Sequence, residues 1–237
     1  VTKPGLFTTL RVSGGDAWFW PAHLERLRTG AAELGLVAPD EDGLQAAIAA
    51  AAGGLPDARV RVTLHPDREP SVEAAAYAPP SAPWRLRPVA AAPSREQVRL
   101  KTTARTIYDA ARKAAGDLDD ALLVGPDGGY LEATVANLFL VDAQGRLRTP
   151  PAAAPLLPGI ARARVLAAAR ALGLDAGEGP LHRVDAARAR ECFVTNALFV
   201  AHPVGEIEGV NDYARGGWAE RLREVVIQGA TGNRIIF

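Results

Sequence analysis

The chain of 237 residues has no methionine, one cysteine (Cys192), and only 3 lysines, Lys3, Lys101 and Lys113, among its 27 basic side chains. A single thiol excludes an internal disulfide, and the 4 histidines make no Cys/His cluster with metal-ligand spacing, so no metal is expected. This fits a reducing, cytoplasmic setting. Acidic and basic residues balance at 27 each, which removes the electrostatic case for a nucleic-acid or anionic-membrane partner. No run approaches the roughly 20 apolar residues that span a bilayer. The opening Val1-Thr-Lys-Pro-Gly5 lacks the apolar core of a signal peptide. What remains is a small-molecule partner, neutral to anionic.

Hydrophobic periodicity divides the chain. Leu6 to Val12 and Ala17 to Trp20 flank Ser13-Gly-Gly-Asp16, a hairpin turn in composition. Pro21 to Leu36 carries Leu24, Leu27, Ala31 and Leu34 at helical spacing, with Gly35 as a stop, and a second helix is predicted from Asp40 to about Ala52. Val60, Val62 and Leu64 alternate with Arg61 and Thr63 as in a half-buried strand, and Val72 to Tyr77 reads as its neighbour. Residues 1–78 therefore form a small α+β domain, and the proline-rich stretch 79–83 is a linker. From 84 to 237 the chain reads as a larger, mostly antiparallel, barrel-like domain. Its strands are expected around Trp84–Ala91, Ala121–Val124, Tyr130–Glu132, Asn137–Val141, Cys192–Thr195 and Leu198–Val204, with only two or three helices, among them about 104–115 and 159–172. The fold class is α+β with two domains.

Against this background the scarce lysine stands out. A chain that uses arginine for ordinary charge places Lys101 in the strand-like run Val98-Arg-Leu-Lys-Thr-Thr-Ala-Arg105, and only lysine can present a neutral amine as nucleophile or base. The alternative is a lysine whose stem lies on a sheet while its head reaches water. Glu132 closes a strand and Asn137 follows five residues later, a carboxylate and an amide that can grip a heterocycle or simply be solvated at a strand end. Leu156-Leu-Pro-Gly-Ile-Ala-Arg162 opens a helix whose first N–H groups can hold a phosphate, though Pro-Gly before a helix is also an ordinary junction. Thr195 and Asn196 either complete a phosphate cup or form a turn. His23 and Arg26 share a helix face, and Arg26 can clamp a phosphate or lie exposed beside Glu25.

Taken in order, these residues resemble the class IV aminotransferase family, the fold-type IV pyridoxal phosphate enzymes, over about Leu6 to Gly209. The resemblance implies a D-amino-acid aminotransferase-like fold, pyridoxal 5'-phosphate as cofactor and a homodimer. It implies Lys101 as the Schiff-base lysine and Glu132 as partner of the pyridine nitrogen, with Asn137 nearby in the cofactor site. Arg26, Thr195, Asn196 and the backbone of Gly159, Ile160 and Ala161 would hold the phosphate. Thr8, Thr9 and Arg11 are candidate substrate contacts, as is Arg105, four residues after Lys101.

Within the family, Phe7-Thr-Thr-Leu-Arg-Val12 and Thr195-Asn-Ala-Leu198 are most similar to 4-amino-4-deoxychorismate lyase, which eliminates pyruvate to give 4-aminobenzoate for folate synthesis. The aminotransferases more often have a Gly-Thr or Ser-Thr segment at the second place. A D-amino-acid or branched-chain-amino-acid aminotransferase is the alternative, and a non-catalytic cofactor-binding relative is a second. The family's usual opening strand and acidic–glycine turn are nearly absent, since only Val1 to Gly5 precede the Phe-Thr-Thr motif. The chain starts on Val1, which reads as an alternative start codon or a missing beginning.

Overall fold

The computed structural model describes residues 3–214 and 216–230; Val1 and Thr2 of the expected opening, and residues 231–237 of the expected second domain, lie outside these. The chain divides into two compact units. The first comprises residues up to Pro79, Leu100–Ala104 and the helix end from Gln228; the second comprises Pro80–Arg99 and Arg105–Ile227. The sequence pattern places one crossing, at 79–83. The structure adds a return through Leu100–Ala104.

In the first unit, strands β1 (Leu6–Ser13), β2 (Asp16–Ala17), β3 (Asp57–Leu64) and β4 (Ser71–Ala76) form an antiparallel sheet in the order β2-β1-β3-β4. Gly14 and Gly15, both at positive φ, make the two-residue turn that sets Ser13 opposite Asp16. Alternation along β1 and β3 sends Leu6, Leu10, Val12, Val60, Val62 and Leu64 to one face. That face packs on helices α1 (Trp20–Leu34) and α2 (Glu41–Ala52) through Leu24, Leu27, Ala31, Leu44 and Ile48. α1 has Pro21 in its first turn and stops at Gly35 in the left-handed conformation, φ 63°. α2 is capped by Asp40, whose carboxylate accepts the Gly43 N–H at 2.8 Å.

The second unit contains, in chain order, β5 (Trp84–Ala90), α3 (Arg95–Val98), α4 (Thr106–Ala114), β6 (Asp120–Val124), β7 (Gly129–Ala133), β8 (Asn137–Val141) and β9 (Leu147–Thr149). There follow α5 (Ile160–Ala171), β10 (Ala176–Glu178), β11 (Leu181–His182), α6 (Arg183–Arg188), β12 (Glu191–Thr195), β13 (His202–Ile207), β14 (Asn211–Asp212) and α7 (Trp218–Ala230). Strands β8, β12, β13, β5, β6 and β7 pair in that order, and a further pairing of β7 with β8 closes them into a barrel. The β13–β5 and β5–β6 joins are parallel and the rest of the ring is antiparallel. A parallel join needs a long crossover, and α3 and α4 supply it between β5 and β6.

β8 and β12 are buried at every position, which accounts for their almost unbroken apolar sequences. Leu138, Leu140, Cys192 and Val194 join Leu86, Leu122 and Val204 in one core. Phe139 and Phe193 are register partners with rings stacked at 5.1 Å and 3°. Burial raises the Cys192 thiol well above its ordinary pKa, so this lone cysteine is packing rather than chemistry.

Three expectations are corrected. Lys101 is not on a regular strand: Arg95–Val98 is a short helix, and the chain after it joins β1 through one isolated bridge, Thr102 with Leu6. The last large strand begins at His202 rather than Leu198, because Asn196 caps a turn and Val200 takes a left-handed backbone, φ 66°. The second unit holds α3, α4, α5, α6 and α7 rather than two or three helices. Helices as short as α3 and α6 carry too little periodicity to be read; α7, of 13 residues, was passed over. None of the described helices is long and apolar enough to cross a membrane.

Replacing Phe139 by Ala removes one of the stacked rings from a fully buried site. The expected loss is about 3–5 kcal/mol of unfolding free energy, measurable by urea denaturation.

Candidate active site

The barrel closes on a polar rung. Glu132 on β7 is register partner of Asn137 on β8, and Asn137 is register partner of Thr195 on β12. Direct cross-strand partners project to the same face, so three buried polar side chains stand side by side where the barrel closes. Asn137 Nδ2 donates to Glu132 Oε2 at 2.9 Å and to the Leu157 carbonyl at 2.9 Å. Glu132 Oε1 accepts from the Leu157 N–H at 3.0 Å and from the Tyr108 hydroxyl at 2.6 Å. Burying an anion is expensive unless donors surround it, and these three meet that cost.

The segment that supplies Leu157 runs straight into α5, where Gly159 is the N-cap residue with no side-chain cap and no acidic residue follows in the first turn. A Cβ at Gly159 would run into Asn137 Oδ1 and lie 3.2 Å from its Cγ, so glycine is required by the close approach of this loop to the rung. The first turn is fixed by Arg162, whose buried guanidinium donates to the Pro150 carbonyl at 2.7 Å and pairs with Glu178 at 2.9 Å. Thr195 Oγ1 is buried without a hydrogen-bond partner among the described residues. A native orphan of this kind needs an explanation, and an absent ligand is one. Asn196 is the turn former of the two readings: its Oδ1 accepts from Leu198 N at 2.9 Å and Phe199 N at 3.1 Å.

Arg105 begins α4 as its N-cap residue. Its Nη2 donates to the Thr134 carbonyl at 2.7 Å and its guanidinium lies 4.6 Å from the centre of the Tyr108 ring. Thr134 gives its hydroxyl to buried Asp120 at 2.5 Å. The Asp120 carboxyl is held above its usual range, first by burial and against the pull of that hydrogen bond.

In the first unit, Lys101 is half-buried and its carbonyl accepts the Phe7 N–H at 2.8 Å. The following residues lie beside the start of β1, with Thr103 N donating to the Gly5 carbonyl at 2.9 Å. Gly5 is forced by this crowding: a Cβ there would stand 2.8 Å from the Leu64 carbonyl oxygen. Lys101 Nζ is 4.9 Å from the centre of the Phe7 ring, and the Arg61 guanidinium is 3.8 Å from the same centre.

Arg61 is a residue that the sequence reading passed over. Strand alternation held the signal, since Arg61 is the register partner of Thr9 and shares its face. Thr9 is half-buried on that face. Thr8, on the opposite face, is fully buried with its hydroxyl 2.6 Å from His23 Nδ1. That contact fixes α1, on which half-buried Arg26 lies one turn beyond His23. Arg11 forms a two-point ion pair with Asp57, Nε to Oδ1 at 2.7 Å, and its guanidinium lies 4.4 Å from the Trp18 ring centre and 5.1 Å from that of Tyr77. Its charge is matched within the sheet.

The family model described as amino-transferase class IV matches residues 5–207, and the chain belongs to that family. A provisionally named branched-chain-amino-acid aminotransferase of Methanocaldococcus jannaschii is 35% identical over 109 residues, 45% of this chain. The match spans only 38% of that relative's length. Among solved structures, a hypothetical aminotransferase from Mycobacterium tuberculosis in its PLP-bound form superimposes with a TM-score of 0.84 at 21% identity, covering 97% of this chain and 90% of the other. A Legionella pneumophila protein provisionally named as a 4-amino-4-deoxychorismate lyase gives a TM-score of 0.83 at 23% identity, covering 96% and 91%. At these identities the two structures establish the fold.

The family's cofactor is pyridoxal phosphate, and residues of the second unit fit such a group. A buried carboxylate held by three donors, an uncapped helix start where glycine is obligatory and an orphaned buried hydroxyl match a heterocyclic nitrogen and a phosphate in chemistry.

Substituting Gly159 by Ala tests how tightly this region is made. Asn137 is held on Glu132 and Leu157 and has no room to yield. The expected cost is about 1–3 kcal/mol in unfolding free energy, read by denaturant titration of the cofactor-free protein.

Proposed function

We propose that the chain is a pyridoxal phosphate-dependent lyase that converts 4-amino-4-deoxychorismate to 4-aminobenzoate and pyruvate, acting as a cytoplasmic homodimer. The observation that carries the choice is the Asn196 turn. A bound amino acid must offer its α-carboxylate to N–H or hydroxyl donors. Here the Leu198 and Phe199 N–H groups are engaged by Asn196 Oδ1, and Ala197 and Leu198 bring no hydroxyl. A segment closed on itself suits a reaction with no second amino-acid substrate better than a transamination.

When bound, pyridoxal phosphate supplies an electron sink for the charge left by breaking a substrate C–H bond. Glu132, buttressed by Asn137, would hold its ring nitrogen. The N–H groups of Gly159, Ile160 and Ala161, the Thr195 hydroxyl beside the Asn196 turn, and Arg26 would hold its phosphate. Lys101 would carry the cofactor, and its amine is the base that takes the proton from C4 of the substrate. As the C4–H bond breaks, the ring becomes aromatic and the enolpyruvyl C–O bond breaks. The departing group takes up one proton and leaves as pyruvate, so atoms balance with no co-reactant. Arg61, facing the same Phe7 ring as Lys101, is assigned to a substrate carboxylate; half-buried Thr9 shares its face.

A second reading has its own support. Curated relatives at 32–35% identity over partial lengths are branched-chain-amino-acid aminotransferases by name. The two differ in products. Incubated with aminodeoxychorismate, the purified protein is expected to release 4-aminobenzoate and pyruvate in equal amounts. If neither forms while leucine or D-alanine with 2-oxoglutarate gives glutamate, the lyase reading is wrong. If pyridoxal phosphate yields no visible chromophore, both enzyme readings are wrong.

Two substitutions check the assigned roles. Lys101→Ala should lower turnover by at least about 10²–10⁴-fold and abolish the chromophore that borohydride bleaches in the native protein. Arg61→Ala should raise KM for aminodeoxychorismate about tenfold while kcat changes by less than about threefold, as expected when a ground-state contact is removed.

A further inference from the structure

Of the three donors that converge on Glu132, two come from the closing rung and the loop docked on it. The third is the phenol of Tyr108, one of the buried residues of α4. Its O–H to Oε1 distance of 2.6 Å is the shortest of the three. The ring is held from behind. Arg105 lies 4.6 Å from its centre and is itself tied to the Thr134 carbonyl, while the Thr134 hydroxyl is tied to Asp120. This line of contacts fixes α4 against the turn that joins β7 to β8, and so fixes where the phenol hydrogen points. Burial, reinforced by the neighbouring carboxylate, pushes the Tyr108 phenol far above its ordinary pKa, so that it stays a donor.

We propose that Tyr108 is a positioning residue for Glu132: its O–H, aimed by Arg105, holds that carboxylate in place and anionic for the ring nitrogen of pyridoxal phosphate. The proposal rests on the reading of Glu132 as the partner of that nitrogen. A buried carboxylate that loses its shortest donor gains rotational freedom and loses support for its charge. Packing alone does not require the hydroxyl, since Tyr108→Phe keeps the ring under Arg105.

The test is a double-variant cycle on cofactor binding. Cofactor-free wild type, Tyr108→Phe, Glu132→Gln and the double variant are titrated with pyridoxal phosphate, and the dissociation constant is read from the visible absorbance. Tyr108→Phe should weaken binding about tenfold, and should cost nothing further in the Glu132→Gln background. In the cofactor-free protein, the ¹³C carboxyl signal of Glu132 should titrate at higher pH in Tyr108→Phe than in wild type. If Glu132→Gln binds the cofactor like wild type, the assignment of Glu132 falls and this proposal with it. If Glu132→Gln weakens binding but Tyr108→Phe does not, or if the penalty of Tyr108→Phe persists in the double variant, Tyr108 has only a packing role and the assignment of Glu132 stands.

Discussion

A ring of strands must close somewhere, and in this barrel β7 and β8 meet at the single register pair of Glu132 with Asn137. The side chains of that pair are also bonded to each other, and both are bonded to the loop that leads into α5. Removing either one leaves a buried polar partner unsatisfied at the point where the barrel closes. The dependence extends outward. Gly159 is small because Asn137 is there, Arg162 secures the turn that Gly159 begins, and Tyr108 and Arg105 brace the closure from α4.

The first unit follows a different logic. Its four-stranded sheet buries one face under two helices, and its other face holds Phe7, Thr9 and Arg61, with Lys101 brought to the Phe7 ring by a segment that is not part of the sheet proper. The backbone beside Gly5 determines the position of the amine: Phe7 N–H bonds to the Lys101 carbonyl and Thr103 N–H to the Gly5 carbonyl, and a residue larger than glycine at position 5 would collide with the Leu64 carbonyl oxygen. Lys101 is therefore held by main-chain bonds at its root and by an aromatic face near its tip. That leaves limited freedom for a long side chain whose entropy would otherwise be costly to lose.

Much of this was legible in the residues. The scarcity of lysine isolates Lys101. Glu132, Asn137, Gly159 and Thr195 are unusual for their positions, and the alternating and helical periods place nearly all the long elements. What the sequence does not show is registration. Glu132, Asn137 and Thr195 become one rung only when three strands are aligned, and no local pattern encodes that alignment. Arg61 looked like the polar half of an alternating strand, and Tyr108 lay unremarked within the expected helix about 104–115. Only pairing with distant residues gives them a second use. A turn at Asn196 was among the readings the residues allow, but the next strand was placed too early, at Leu198, because a β-branched valine at positive φ is rare enough that no reading of propensity would place Val200 there.

On the reading proposed above, the residues that close the barrel also carry the ligand chemistry, and this limits how such a protein can change over generations. Glu132, Asn137 and Gly159 cannot be exchanged in pursuit of a new specificity without first weakening the barrel. The polar face of the four-stranded sheet carries no such burden. Thr9 and Arg61 sit on a strand pair whose core lies on the opposite side, and their replacement leaves the helices undisturbed. With Arg61 and Thr9 as substrate contacts, a change in the molecules accepted is therefore tolerated more readily on that face than at the closing rung.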